Sequence, residues 1–178
     1  RTVKQILPLT MAMAALLLFF GLWVPNFISA ENMLDLVQQV SVNAILAFGM
    51  TLVILIGGID LSVGALLALV GTTTVYILTQ GQSDEQSLFW LTFAVLSGTG
   101  VAAAFGSFNG LCAAKTKMPP FIITLAMMLV ARGAALRYNE GRPMHIPDEQ
   151  TIFLTLGNGR LFGVIPVPVV VMLILFLI

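Results

Sequence analysis

Long apolar runs separated by short polar stretches dominate the chain. Six runs can be delimited: Ile6–Val24, Leu36–Ile56, Leu61–Leu78, Leu88–Ala114, Pro120–Leu136 and a sixth that begins near Val164. A helix that crosses a bilayer needs about 20 predominantly apolar residues. The pattern therefore predicts an all-α, polytopic membrane helix bundle with about five complete helices and a truncated sixth.

Composition supports lipid as the solvent of this chain. Hydrophobic residues make up 58% of the sequence and charged residues only 9%, whereas soluble domains carry about 25% charged residues. So few charges cannot cover a water-facing surface. Eight basic residues balance eight acidic ones, and no basic run suggests a nucleic-acid partner.

The two ends of the sequence suggest a piece of a longer protein. It begins at Arg1 instead of methionine, and its last apolar run, Val164 to Ile178, is shorter than a spanning helix. We expect residues 1–178 to form a single transmembrane domain whose C-terminal half is missing. The single Cys112 excludes an internal disulfide, and the lone His145 cannot build a metal cluster with it, so no metal site is expected.

Basic residues in short loops predict the orientation in the membrane. Arg1 and Lys4 precede the first run, and Lys115 and Lys117 follow the fourth, so four spans separate the two basic sites. Both sites and the N-terminus are therefore expected in the cytoplasm. The polar segment from Tyr138 to Gly163 then lies outside, either as a solvated loop or as a docking surface for a partner.

Neutral polar side chains interrupt two of the apolar runs. Gln39, Asn43 and Thr51 lie in the second run, and Asn109 lies in the fourth. Amides inside a membrane must face the helix bundle or a wet cavity. They are either hydrogen-bonded between helices or lining a solute pathway, and these four residues are our pathway candidates.

Small residues recur at intervals of four in the fourth run. They are Gly98, Ala102, Gly106, Gly110 and Ala114. Small side chains let helix backbones approach closely in lipid. The spacing predicts a helix-packing face.

Arg132 lies inside the fifth apolar run, about two turns from the following polar loop. Partial snorkelling to the interface, a partner acid and an aqueous vestibule all remain open explanations for it.

The segment "GGIDLS" carries the one acid between Asp35 and Asp84. Gly57 and Gly58 suit the end of a helix, and Asp60 suits the N-cap of the next one, with Ser62 in support. About 21 helical residues before the glycines span roughly 32 Å, which places Asp60 at the cytoplasmic edge. The alternative is a discontinuous helix broken inside the bundle.

The sequence carries no motif for covalent chemistry. It has no phosphate-binding glycine loop followed by Lys-Ser or Lys-Thr, no paired carboxylates, no zinc-ligand spacing and no nucleophile elbow. These absences favour transport over catalysis, and no cofactor is expected on this chain.

Several segments resemble one family. "NMLDLVQQVSVNAILAFGMTLVILIGGIDLSVGALLAL", "PNFISAEN", "KTKMPPFIITLAMMLVARGAA", "GRPM" and "LFGVIPVPV" are similar to the ribose/monosaccharide-type permeases of bacterial ABC importers. The family motif falls on residues expected to be structural: Gly57, Gly58, Asp60, Leu61, Ser62 and Gly64.

The resemblance implies a multi-pass permease subunit of the bacterial inner membrane, and not an enzyme. Its implied partners are a second permease copy or close paralogue, cytoplasmic ATPase subunits that bind ATP and Mg, and a periplasmic sugar-binding protein. The expected solute is a monosaccharide, with ribose first. The alternatives are an ABC permease for autoinducer-2 or a branched-chain amino acid, an ion-coupled transporter that uses Asp60, and a non-transporting scaffold.

Overall fold

The computed structural model describes residues 2–80, 88–138, 140–146 and 151–177. These residues form seven helices and one two-stranded sheet: α1 Thr2–Trp23, α2 Ala30–Leu55, α3 Val63–Gln80, α4 Leu88–Lys115, α5 Pro120–Tyr138, α6 Thr151–Asn158, β1 Arg160–Leu161, β2 Ile165–Pro166 and α7 Val167–Phe176. Helices α1 to α5 are long and apolar enough to cross a membrane. The predicted polytopic helical class is thus confirmed.

Helix α2 begins six residues before the predicted start at Leu36. Its first turn is capped by Ser29, whose Oγ accepts a hydrogen bond from the backbone N–H of Asn32 at 3.2 Å. The Ser29 carbonyl accepts the N–H of Met33 at 3.0 Å. An apolar run marks the part of a helix that lies in lipid, whereas a capping side chain determines where the helix starts.

The segment from Tyr138 to Gly163 was expected to be a polar loop, and that prediction is wrong for its second half. Residues 151–158 form α6, and a hairpin follows in which Arg160 pairs with Pro166 and Leu161 with Ile165. Phe153 of α6 packs on the buried cluster of Leu78, Leu91 and Ala94. Part of the segment therefore docks on the chain's own helices.

The chain divides into two compact units. One comprises Arg1–Val42 with Arg160–Ile178, and the other comprises Asn43–Gly159, so α2 contributes to both. In the first unit, an Arg160 nitrogen lies 2.8 Å from Asp35 Oδ1 and ties the hairpin to α2.

In the second unit, α3 packs against α4 and α5. Leu66 and Leu69 of α3 form a buried cluster with Ala131 and Ala135 of α5. Helix α3 lies directly against α4 at Gly98, where an added Cβ would collide with Thr74 Oγ1 and lie 3.2 Å from the Val70 carbonyl oxygen. Gly98 therefore has the packing role predicted for the small-residue series.

The later small residues of α4 do not lie on the face that packs against α3. Gly98 is buried and Ala102 half-buried, but Gly106 and Gly110 are exposed, and a Cβ added at either would meet nothing within 4 Å. Each step of four residues rotates the position by about 40° because a helix has about 3.6 residues per turn. Within the described residues, the series thus winds off the buried face instead of forming a single one.

The two glycines should respond oppositely to alanine. Gly98→Ala should lower the thermal unfolding midpoint of the detergent-purified protein, because the new methyl group overpacks the α3–α4 contact at a cost of about 1–3 kcal/mol. Gly106→Ala should leave stability unchanged or raise it by up to about 1 kcal/mol, since alanine is the better helix former. Equal shifts in the same direction would contradict the assigned packing.

Candidate functional site

The candidate site is the polar turn between α2 and α3, residues 57–62. Gly57 has a φ of 76°. Its N–H donates to the Ile54 carbonyl at 2.9 Å, and the Gly58 N–H donates to the Val53 carbonyl at 3.0 Å. This pair of bonds is the Schellman arrangement that ends helices at a left-handed glycine. The predicted glycine stop is therefore confirmed.

Asp60 was predicted to be the N-cap residue of α3, and that prediction is wrong, because the N-cap residue lies two positions later. The Ser62 carbonyl accepts the N–H of Leu66 at 2.8 Å, which makes Ser62 the N-cap residue. Asp60 Oδ1 accepts both the Ser62 N–H at 2.8 Å and the Ser62 hydroxyl at 2.6 Å. The carboxylate thus forms an Asx turn and acts on the helix start through Ser62.

Thr124 of α5 forms hydrogen bonds with the turn. Its Oγ1 accepts the Leu61 N–H at 3.1 Å. The same hydroxyl lies 3.2 Å from the Ile59 carbonyl and 3.2 Å from the Phe121 carbonyl, and it can donate to either. Thr124 is buried, so its hydroxyl satisfies the Leu61 N–H and, at any one time, one of the two carbonyls.

Asn109 of α4 also forms a hydrogen bond with the turn. Its Nδ2 donates to Ser62 Oγ at 3.1 Å, and Ser62 has no exposed surface. Because the Ser62 hydroxyl gives its proton to Asp60, only a lone pair is left for Asn109, and this fixes which end of the amide faces the serine. Asn109 is therefore buried in the junction and does not lie on an open surface.

The other end of that amide has no partner. Asn109 Oδ1 is buried and accepts no hydrogen bond from the described residues. A buried acceptor without a donor costs about 1–3 kcal/mol. The Asn109–Ser62 hydrogen bond is therefore formed although the other end of the same amide is unpaired.

The remaining pathway candidates lie apart from any buried network. Gln39, Asn43 and Thr51 are exposed on α2, and Thr51 Oγ1 donates to the Ala47 carbonyl of its own helix at 2.8 Å. Exposed amides on a spanning helix need protein or water beside them. Their pathway role stays a prediction.

Among the motif residues, Gly58 and Ser62 are buried, Asp60 is half-buried, and Gly57, Leu61 and Gly64 are exposed. Hydrogen bonds join this turn to residues far along the chain. Asn109 is 47 residues from Ser62, and Thr124 is 65 residues from Ile59. Thr124 was missed by sequence reasoning because threonines in apolar helices commonly bond their own backbone, as Thr51 does.

The chain was compared with known protein families. Residues 32–178 match the family model described as "Branched-chain amino acid transport system / permease component". The match contains α2 from Asn32 onwards, α3 to α7 and the whole polar turn.

The chain belongs to this family of transport permeases.

Individual permeases are also similar to the chain. The ribose import permease protein of Escherichia coli (strain K12) is 43% identical over 155 residues, which cover 86% of this chain and 46% of the relative. That of Bacillus subtilis (strain 168) is 40% identical over 154 residues, 86% of this chain and 45% of the relative. The L-arabinose transport system permease protein of Escherichia coli (strain K12) is 32% identical over 156 residues, 88% and 44% respectively.

The chain spans about half the length of the curated relatives it matches. No solved structure matches it. The resemblance to ribose/monosaccharide-type permeases is confirmed by these relatives, whereas the activity of the whole protein is a matter for proposal.

The hydrogen bond between Ser62 and Asn109 predicts non-additive mutations. Ser62→Ala should lower the thermal unfolding midpoint of the purified permease, because it leaves the buried Asn109 Nδ2 without an acceptor. Asn109→Ala should lower it less, because it removes the unpaired Oδ1 together with the hydrogen bond. The double variant should cost less than the two single losses together, with a coupling of about 1 kcal/mol.

Thr51→Val is the matched control for this cycle, since the Thr51 hydroxyl is exposed and bonds only within its own helix turn. Its effect should stay within about 0.5 kcal/mol. Strictly additive losses for Ser62 and Asn109 would show that the two side chains do not interact.

Proposed function

We propose that this chain is the N-terminal part of the permease subunit of an ATP-driven importer that moves a monosaccharide, ribose first, into the cytoplasm. The observation that carries the proposal is the 43% identity to a ribose import permease over 86% of the chain. Permeases named for galactofuranose and L-arabinose are less similar, at 36% and 32% identity. Ribose is therefore favoured over the other sugars.

The geometry suggests which part of the permease moves as one piece. Buried side chains join α3 to α4 and α5, and the polar turn adds Ser62–Asn109 and Leu61–Thr124 hydrogen bonds at one end of the same three helices. Close-packed interiors transmit displacement instead of absorbing it. A push delivered at the turn would therefore displace α3, α4 and α5 together.

The force for such a displacement must come from partners. The proposed partners are cytoplasmic ATPase subunits holding ATP and Mg, a periplasmic sugar-binding protein, and a second permease copy or close paralogue in the inner membrane. With the N-terminus in the cytoplasm, the polar turn faces the cytoplasmic side, where the ATPase subunits would bind.

Neutral polar side chains suit the proposed solute. Gln39, Asn43 and Thr51 are exposed on a spanning helix, and amide groups both donate to and accept from sugar hydroxyls. We include them in the pathway, where they would line the cavity that the solute crosses.

A branched-chain amino acid is the second candidate solute, because the matching family model is described by that transport system.

An ion-coupled transport mechanism that uses Asp60 is less well supported than an ATP-driven one. Asp60 lies beyond the last residue of α2, and its Oδ1 is already engaged by the Ser62 N–H and hydroxyl. A coupling carboxylate would be expected near the middle of the bilayer.

Uptake into proteoliposomes tests the proposal. The complete permease should be reconstituted with its ATPase and its binding protein, and uptake of labelled D-ribose measured with L-leucine as the comparison solute. We expect D-ribose uptake to stop when ATP is withdrawn and to continue when a protonophore collapses the proton gradient. Uptake of L-leucine instead of D-ribose, or uptake driven by the gradient without ATP, would contradict the proposal.

A further inference from the structure

Arg132 lies close to the middle of a spanning helix. It is three residues beyond Leu129, the midpoint of α5, and is therefore only about 4.5 Å along the axis from the helix centre. An ionised side chain at such a depth is costly in lipid, and it is found where it faces protein or water.

The arginine is not buried among the helices that surround α5. Its side chain is exposed, whereas the preceding Ala131 has no exposed surface and Ala135 is buried. Across residues 2–80, 88–138, 140–146 and 151–177, no carboxylate forms an ion pair with it. Arg132 thus projects from the packed helices near the middle of a candidate membrane span.

Snorkelling to the nearer membrane surface is disfavoured by the direction of the helix. Tyr138, which contacts Tyr76 with ring centroids 5.2 Å apart, marks the interface at the C-terminal end of α5. Helical side chains lean towards the N-terminus of their helix. The lean of Arg132 is therefore away from Tyr138 and towards the centre of the bilayer.

A second copy of these residues cannot supply the missing carboxylate at that depth. Every acid of the sequence lies near a helix start, in the polar turn or in a polar stretch between apolar runs: Glu31, Asp35, Asp60, Asp84, Glu85, Glu140, Asp148 and Glu149. No acid of this sequence therefore lies at that depth, and charged side chains inside a membrane characteristically face a water-filled cavity or a solute path.

We propose that Arg132 faces a water-filled route through the assembled permease and donates hydrogen bonds to the hydroxyl oxygens of the passing solute. A guanidinium offers several N–H donors in a fixed plane and accepts none, which suits a neutral, polyhydroxylated solute rather than a cation. The assignment of the solute rests on the proposed function, whereas the water-facing position does not.

Cysteine labelling tests the water-facing position without measuring transport. In the complete permease with its partners and with Cys112→Ala, Arg132→Cys is compared with Val130→Cys, two residues away. Val130 is exposed but lines an apolar cleft with Phe105, Phe108 and Met127. A membrane-impermeant thiosulfonate reacts with the thiolate, which forms in water.

We expect Arg132→Cys to react about tenfold faster than Val130→Cys, because only the first thiol meets water. D-ribose supplied with its binding protein and ATP should slow the reaction at position 132 and leave position 130 unchanged. Equal reaction rates at the two positions would overturn the proposal, whether or not the wild-type complex transports ribose.

Transport separates a solute contact from an ion pair to a partner. At saturating D-ribose-loaded binding protein, Arg132→Leu should lower uptake about tenfold, with Arg132→Gln intermediate because it keeps donors. Stimulation of ATP hydrolysis by the loaded binding protein should persist in both variants.

Loss of the assembled complex in Arg132→Leu and Arg132→Gln, with retention in Arg132→Lys, would mark an ion pair to a partner carboxylate and refute the solute contact. If the wild-type complex fails to import ribose while position 132 labels quickly, the proposed function fails and the water-facing position stands.

Discussion

The hydroxyl of Ser62 is the group on which the junction of four helices depends. It donates to Asp60 and accepts from Asn109, and it has no exposed surface. A polar group that is buried away from water must be paired within the protein. Ser62, the residue before α3, therefore connects the turn that ends α2 to Asn109 near the C-terminal end of α4. Thr124 adds α5 through the neighbouring Leu61.

This dependence gives the family motif a physical meaning. Glycine is required at position 57 because the chain turns there with a positive φ. Gly58 is confined because a Cβ would lie 3.1 Å from Val53 Cγ1. Asp60 orients Ser62, and Ser62 reaches α4. The motif thus specifies how one helix end is attached to a packed group of three helices.

The sequence predicted those features that depend on neighbouring residues. Apolar runs gave five spans, and the glycine pair gave the end of α2, because hydropathy and left-handed backbone are local properties. Features that depend on tertiary contacts were missed or misplaced. Thr124 reaches the turn across 63 residues to Leu61, and α6 places Phe153 on a buried cluster formed by other helices. The glycine series departs from its face because helical rotation accumulates. The cap shifted from Asp60 to Ser62 because the carboxylate folds back on its own turn.

Uptake by variants of Asp60 tests most directly whether this carboxylate is an architectural group. Asparagine keeps the side-chain oxygen that accepts from the Ser62 N–H and hydroxyl, whereas leucine removes it and cannot ionise either. ATP-driven D-ribose uptake should stay within about twofold of the wild-type rate in Asp60→Asn and fall by about tenfold or more in Asp60→Leu, at equal amounts of assembled complex. Loss of uptake in Asp60→Asn to the level of Asp60→Leu would contradict the architectural assignment and show that the charge itself is needed.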